Sequence, residues 1–156
     1  MKLHILRHGK AQVNSTTGKD IDRSLRPKGV KQCAQLNHDS LNLPDTLDVW
    51  CSQAARTRET CALMSLQQGQ AVDYRLGLYL CSRNQLLQDI WNRSGNEDLL
   101  IIGHNFGISE LAEYFLEQEI ELRTAEFISI DFGESTWEEV SKGLGTISHR
   151  FRPSLS

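Results

Sequence analysis

The chain has 156 residues, 39% hydrophobic and 24% charged, with a net charge of −3, which suits one soluble domain and excludes a general binder of nucleic acid or anionic membrane. Its four cysteines, Cys33, Cys51, Cys61 and Cys81, show neither a short metal-ligand spacing nor a secreted disulfide framework. No apolar run approaches the roughly 18 residues of a membrane span, and the N-terminal apolar stretch is far too short for a signal-peptide core, so the expectation is a cytoplasmic protein with no membrane partner.

Short apolar runs alternate with segments of helical period, and no repeat or low-complexity tract interrupts them. This predicts an α/β fold with residues 1–156 as a single domain: a three-layer α/β/α sandwich around a mostly parallel sheet. Leu3 to Leu6 is the first strand, and the chain leaves it at Arg7-His8-Gly9. Asn14 to Asp22 reads as a polar surface loop. Pro27 suits a helix start, with Val30, Cys33, Ala34 and Leu41 as its inner face. Leu47 to Cys51 is the second strand. Ser52 then serves as N-cap to a helix whose inward residues are Ala55, Ala62, Leu63 and Leu66. A short strand near Val72 leads through Gly77 to a helix containing Leu87, Ile90 and Trp91.

Leu99 to Ile102 reads as a strand buried on both faces. After His104-Asn105 comes a helix with Ile108, Leu111, Ala112 and Phe115 at i, i+3, i+4 and i+7. Residues 125–132 alternate as a strand. Gly133-Glu134-Ser135 is expected to turn the chain into a partner strand through Trp137 and Val140, giving an antiparallel edge near the C-terminus. Trp50, Trp91 and Trp137 read as core, His4 as structural, and His38 and His149 as surface residues.

Three polar clusters, Arg7-His8-Gly9, Ser52 to Arg56 and His104-Asn105, each follow a strand directly. Ligands of open α/β sheets bind beyond the carboxyl ends of the strands, so parallel strands would bring all three clusters to one rim. Two guanidiniums hold a phosphoryl group by forked hydrogen bonds, and two imidazoles add a nucleophile and a switchable donor. Gly9 is expected to let backbone approach the ligand closely. Helices starting near Ser52 and Asn105 are expected to aim N–H groups at an anion. The clusters contain no carboxylate, which argues against a dedicated metal site, and no cofactor is expected. Cations and donors without acids point to phosphate.

Leu6-Arg7-His8-Gly9 resembles the signature of the histidine phosphatase (phosphoglycerate mutase-like) superfamily. Asn14 falls where many members have an asparagine. Asp22, Leu25, Gly29 and Gln32 resemble the family's D-x-x-L-x-x-x-G-x-x-Q stretch, Ser52, Arg56 and Thr60 its S-x-x-x-R-x-x-x-T segment, and Gly103-His104-Asn105 its second histidine. The resemblance spans residues 3 to about 116 in order. Little room for a lid between the second and fourth strands makes the chain most similar to the small SixA-like phosphohistidine phosphatases.

That resemblance implies two-step transfer: His8 attacks phosphorus, and water then hydrolyses phospho-His8. Arg7, Arg56 and His104 would hold the phosphoryl oxygens, and Asn14 and Asn105 would be neutral donors. Larger relatives carry an acid after the third strand, whereas Gly77 to Ser82 offers none. An ester leaving group needs a proton, so this gap favours phosphohistidine on a phosphotransfer protein, although Asp20, Asp22 and Asp73 remain candidate donors. Lys10 and Arg23 read as solvated loop residues. The alternatives are a phosphatase of small phosphorylated metabolites or nucleotides, and a non-catalytic phosphate-binding module.

Overall fold

A computed structural model describes residues 1–154. Strands β1 (Lys2–Arg7), β2 (Leu47–Ser52), β3 (Val72–Arg75), β4 (Asp98–Gly103), β5 (Phe127–Asp131) and β6 (Thr146–Phe151) form one sheet, ordered β3-β2-β4-β1-β5-β6. The first four run parallel; β5 is antiparallel to β1, and β6 to β5. Helices α1 (Pro27–Cys33) and α2 (Ala55–Leu63) cover one face, and α3 (Arg83–Trp91) and α4 (Gly107–Leu116) the other. This is the expected α/β/α sandwich with an antiparallel edge.

Successive strand residues point to opposite faces, and the central strands supply both cores. Leu3, Ile5, Leu99 and Ile101 pack with Leu86, Ile90, Ile108 and Leu111 beneath α3 and α4. Leu6, Val49, Leu100 and Ile102 pack with Cys33, Cys61 and Met64 beneath α1 and α2. A strand buried on both faces has no polar side to display, so β4 appears in the sequence as an unbroken apolar run. His4 is structural: its ring bonds Ser129 Oγ at 2.6 Å and Asp98 Oδ2 at 2.8 Å.

Four expectations are corrected. The first helix stops at Cys33, and it buries Gly29, Gln32 and Cys33 while Val30 is 41% exposed. In α2 the buried residues are Arg56, Thr57, Thr60 and Cys61, whereas Ala62 and Leu63 face solvent. The partner of β5 is β6, not a strand through Trp137 and Val140. Those two residues lie in the connection between β5 and β6 and are buried beneath α3 and α4. The Trp137 indole donates to Glu97 O at 3.1 Å, and that of half-buried Trp91 to Val140 O at 2.7 Å. Finally, His38 and His149 are half-buried, bonding to Pro44 O and Ser40 O.

Because this connection is core, Trp137→Ala is expected to cost about 3–5 kcal/mol. Urea unfolding of the variant measures it, and a loss below about 1 kcal/mol would show that the segment contributes little packing.

Candidate active site

Parallel registry assembles the site. Arg7 of β1 lies opposite Gly103 of β4, and Ile102 of β4 opposite Cys51 of β2, so the three polar exits stand side by side. Arg7, His8, Arg56, His104 and Asn105 line one cavity of about 280 Å³. A larger cavity of about 590 Å³ lies beside Trp50, Arg75 and Arg93 and contains neither histidine.

His8 is 7% exposed, and its Nδ1 lies 2.7 Å from the Gly9 carbonyl. A carbonyl only accepts, so Nδ1 carries the proton and Nε2 keeps its lone pair. Burial, then the charges of Arg56, Arg7 and Arg23, outweigh the Gly9 bond and lower the His8 pKa to about 3. Desolvation thus does more than the arginines to keep the ring neutral and nucleophilic.

The His8 and His104 rings lie 5.3 Å apart between centroids. His104 Nε2 is 2.8 Å from Ser52 Oγ, which accepts from Ala54 N at 3.3 Å. When the hydroxyl donates to Nε2, the His104 proton lies on Nδ1. Burial and then neighbouring His8 lower the His104 pKa to about 3 as well. Arg56 is 2% exposed and uses Nη1 and Nη2 on Asp20 O and Oδ2, at 2.8 and 3.0 Å. Arg7 Nη1 donates to Leu122 O at 3.0 Å. Arg7 Nε, Arg56 Nε and His104 Nδ1 are buried without a partner. Buried polar groups are normally paired. All three residues line the same cavity, so an acceptor-rich ligand there is one way to supply the missing partners.

Arg7, His8, Arg56 and His104 come together as expected; the remaining assignments change. Asn14 is exposed and does not line that cavity, but lines an adjoining hollow that shares Asp20 and Arg23 with it. Asn105 reaches the cavity, but its amide donates to Leu122 O at 2.9 Å and accepts from Ser109 Oγ. It therefore fixes the carbonyl that holds Arg7. Ser52 does not cap α2; its hydroxyl serves His104. Gly9 is needed for packing, since a Cβ there would lie 2.7 Å from Cys33 Sγ and 3.0 Å from Gly29 O. Lys10 and Arg23 line the cavity.

Sequence reasoning missed the supports. Thr60 Oγ1 accepts from Gly9 N at 3.0 Å and donates to Arg56 O at 2.7 Å. Gln32 accepts from Lys10 N at 2.9 Å and donates to Thr124 Oγ1 at 3.1 Å. Both belong to the spaced motifs in the sequence, a signal open to an earlier reading. Asp20 and Tyr79 also reach the site, the tyrosine hydroxyl donating to Asp20 Oδ2 and its ring lying 5.5 Å from that of His104. No spacing rule links Asp20 to Tyr79. Asp22 accepts from Thr17, and Asp73 pairs with Arg75, so neither joins the cavity. Bonds from Tyr79, Arg23 and Arg56 outweigh burial and hold Asp20 well below the usual carboxylate range.

Residues 3–79 match the family model of the histidine phosphatase superfamily (branch 1). With its fold and this pocket, the chain belongs to the histidine phosphatase superfamily. No curated protein matches by sequence. Among solved structures, a Nakamurella multipartitia protein described as a phosphohistidine phosphatase SixA is 22% identical, with a TM-score of 0.80 over 99% of this chain and 96% of that one. A protein histidine phosphatase SixA complexed with tungstate is 19% identical, with a TM-score of 0.75 over 98% and 97%. Phosphoserine phosphatase of Entamoeba histolytica is 14% identical, with a TM-score of 0.64 over 96% and 95%. At these identities the likeness is one of fold.

The lowered pKa values fix a pH dependence. Between pH 6.5 and about 3 the unfolded chain takes up protons that folded His8 and His104 do not, so stability falls as pH drops through that window. Imidazole NMR is expected to find both rings neutral down to about pH 4. Either ring charging near its ordinary pKa would contradict this environment.

Proposed function

We propose that the protein is a phosphatase that works through a covalent phosphohistidine on His8, and that its substrate is a phosphohistidine on a phosphotransfer protein. The observation carrying this reading is a neutral, buried His8 with Nε2 free, beside unpaired nitrogens of Arg7, Arg56 and His104. Nε2 attacks phosphorus, the bond to the leaving group breaks, and the equatorial oxygens are held by the arginines and His104 Nδ1–H. Water then attacks the phosphorus of phospho-His8. The P–N bond breaks and its electrons return to Nε2. His8 keeps its Nδ1 proton on the Gly9 carbonyl throughout, so it departs as a neutral ring.

The substrate assignment rests on the acid the cavity lacks. Asp20 is the carboxylate that lines it, and Asp20 is held ionised, so it has no proton for an alkoxide. An imidazole protonated on its far nitrogen needs none. The fold shared with SixA proteins supports the same substrate. The protein is proposed to act as a single cytoplasmic domain, without metal or cofactor. A second reading, a phosphatase of small phosphorylated metabolites or nucleotides, is favoured by the fold shared with a phosphoserine phosphatase. A mere phosphate-binding module would have no use for a desolvated nucleophile.

Hydrolysis of para-nitrophenyl phosphate and of a phosphohistidine protein, both in chelator, tests the reading. His8→Ala is expected to lose at least about 10³-fold in kcat, as removal of a nucleophile does, and wild type to yield acid-labile phosphate on His8. Arg56→Ala is expected to lose about 10²–10³-fold in kcat. Full turnover by His8→Ala would sink the covalent mechanism; turnover of the ester alone would favour the small-molecule reading.

A further inference from the structure

In-line transfer places the leaving group on the side of phosphorus away from the nucleophile. His8, 7% exposed, lies deep in the cavity, so the leaving group lies at its open mouth. Lys10, Asp20, Arg23 and Leu80 also line the cavity, and the exposure of Lys10, Asp20 and Leu80 places these toward that mouth. The Asp20 side chain is 45% exposed, and it brings the lining's carboxylate into a ring of cations. It accepts three bonds within the protein: Arg23 Nε to Oδ1 at 2.8 Å, Arg56 Nη2 to Oδ2 at 3.0 Å, and Tyr79 OH to Oδ2. A carboxylate offers about four acceptor positions. Oδ1, with one bond taken, retains one.

We infer that Asp20 determines specificity for the leaving group, with Oδ1 accepting a hydrogen bond from the far ring N–H of the substrate's phosphorylated imidazole. The inference rests on the phosphohistidine reading above. As His8 Nε2 forms its bond to phosphorus, the substrate's P–N bond breaks and the electron pair stays on the departing nitrogen. The far nitrogen already holds its proton, so the ring leaves as neutral imidazole and no proton moves. Asp20 favours this reactive, protonated form and keeps its bond to the N–H as the ring departs. An ester develops negative charge on oxygen at the same place, where a carboxylate repels it. One group therefore favours nitrogen and disfavours oxygen as the leaving atom.

Asp20 also braces Arg56, and that role alone would treat all substrates alike. The discriminating measurement is the ratio of kcat/KM for phosphoimidazole to that for para-nitrophenyl phosphate, in wild type and Asp20→Asn. Both are small molecules, so protein docking does not enter. Asparagine keeps the size of the side chain but removes its charge, and loss of the Arg56 brace lowers both rates. The ratio is expected to fall a further roughly five- to tenfold, because the amide oxygen still accepts from the N–H but without the charge that strengthens the bond and repels an ester's oxygen. Tyr79→Phe, which leaves the carboxylate in place, is expected to keep the wild-type ratio within about threefold. An unchanged ratio in Asp20→Asn, with both rates lower, would reduce Asp20 to a brace for Arg56 and overturn the inference while leaving the phosphohistidine reading intact. Wild type that hydrolyses the ester but neither phosphoimidazole nor a phosphohistidine protein would overturn that reading and this inference together.

Discussion

Parallel pairing across β2, β4 and β1 fixes where three chain exits end, and the rest of the site is built on that alignment. Each exit inherits the rigidity of a strand buried on both faces. Ser52, His104 and His8 are therefore held by backbone with no room to shift. Side chains from loops alone would have to be ordered at a cost in entropy for each one. Here the sheet has already met most of that cost.

What the sheet brings together is electrostatically unusual. Two imidazoles and two guanidiniums share one pocket, an arrangement that would repel itself were all four charged. Burial settles it by keeping both rings neutral, and Asp20 reaches over from the loop after β1 to pair with Arg56 at 3.0 Å. Arg56 is 2% exposed while Asp20 is half-exposed, so displacing Asp20 would leave the buried guanidinium short of two acceptors. Asp20 thus gives the pocket a stable resting arrangement while leaving Arg56 Nε unpaired.

The supporting residues explain why α2 looks so poor as an amphipathic helix. Its inward side carries Arg56, Thr57 and Thr60, because that side is a wall of the site as well as part of the core. Thr57 Oγ1 satisfies Ser52 O at 2.8 Å, Thr60 ties Gly9 to Arg56 O, and Cys61 packs below them. A rule that seeks apolar residues on the inner face selects Ala62 and Leu63 instead, and both lie in solvent. Local rules fail most often where a segment serves function. In α4, which carries no such duty, the apolar positions Ile108, Leu111, Ala112 and Phe115 are all buried.

The sequence by itself determined the layered fold, the parallel core strands and the meeting of Arg7, His8, Arg56 and His104. Each of these follows from local periodicity or from a residue's place at a strand end, and both are written in short stretches of chain. Only the tertiary structure decided that Trp137 lies in the connection between β5 and β6 and not in a strand, that β6 closes the sheet, that Asn14 faces solvent and that Asn105 serves Arg7. It alone paired Asp20 with Tyr79 and Arg56 beside the pocket. These contacts join residues far apart along the chain through loops of irregular path, where no period or spacing constrains the geometry. Packing and the pairing of buried polar groups decide the outcome there, and both are properties of the assembled molecule.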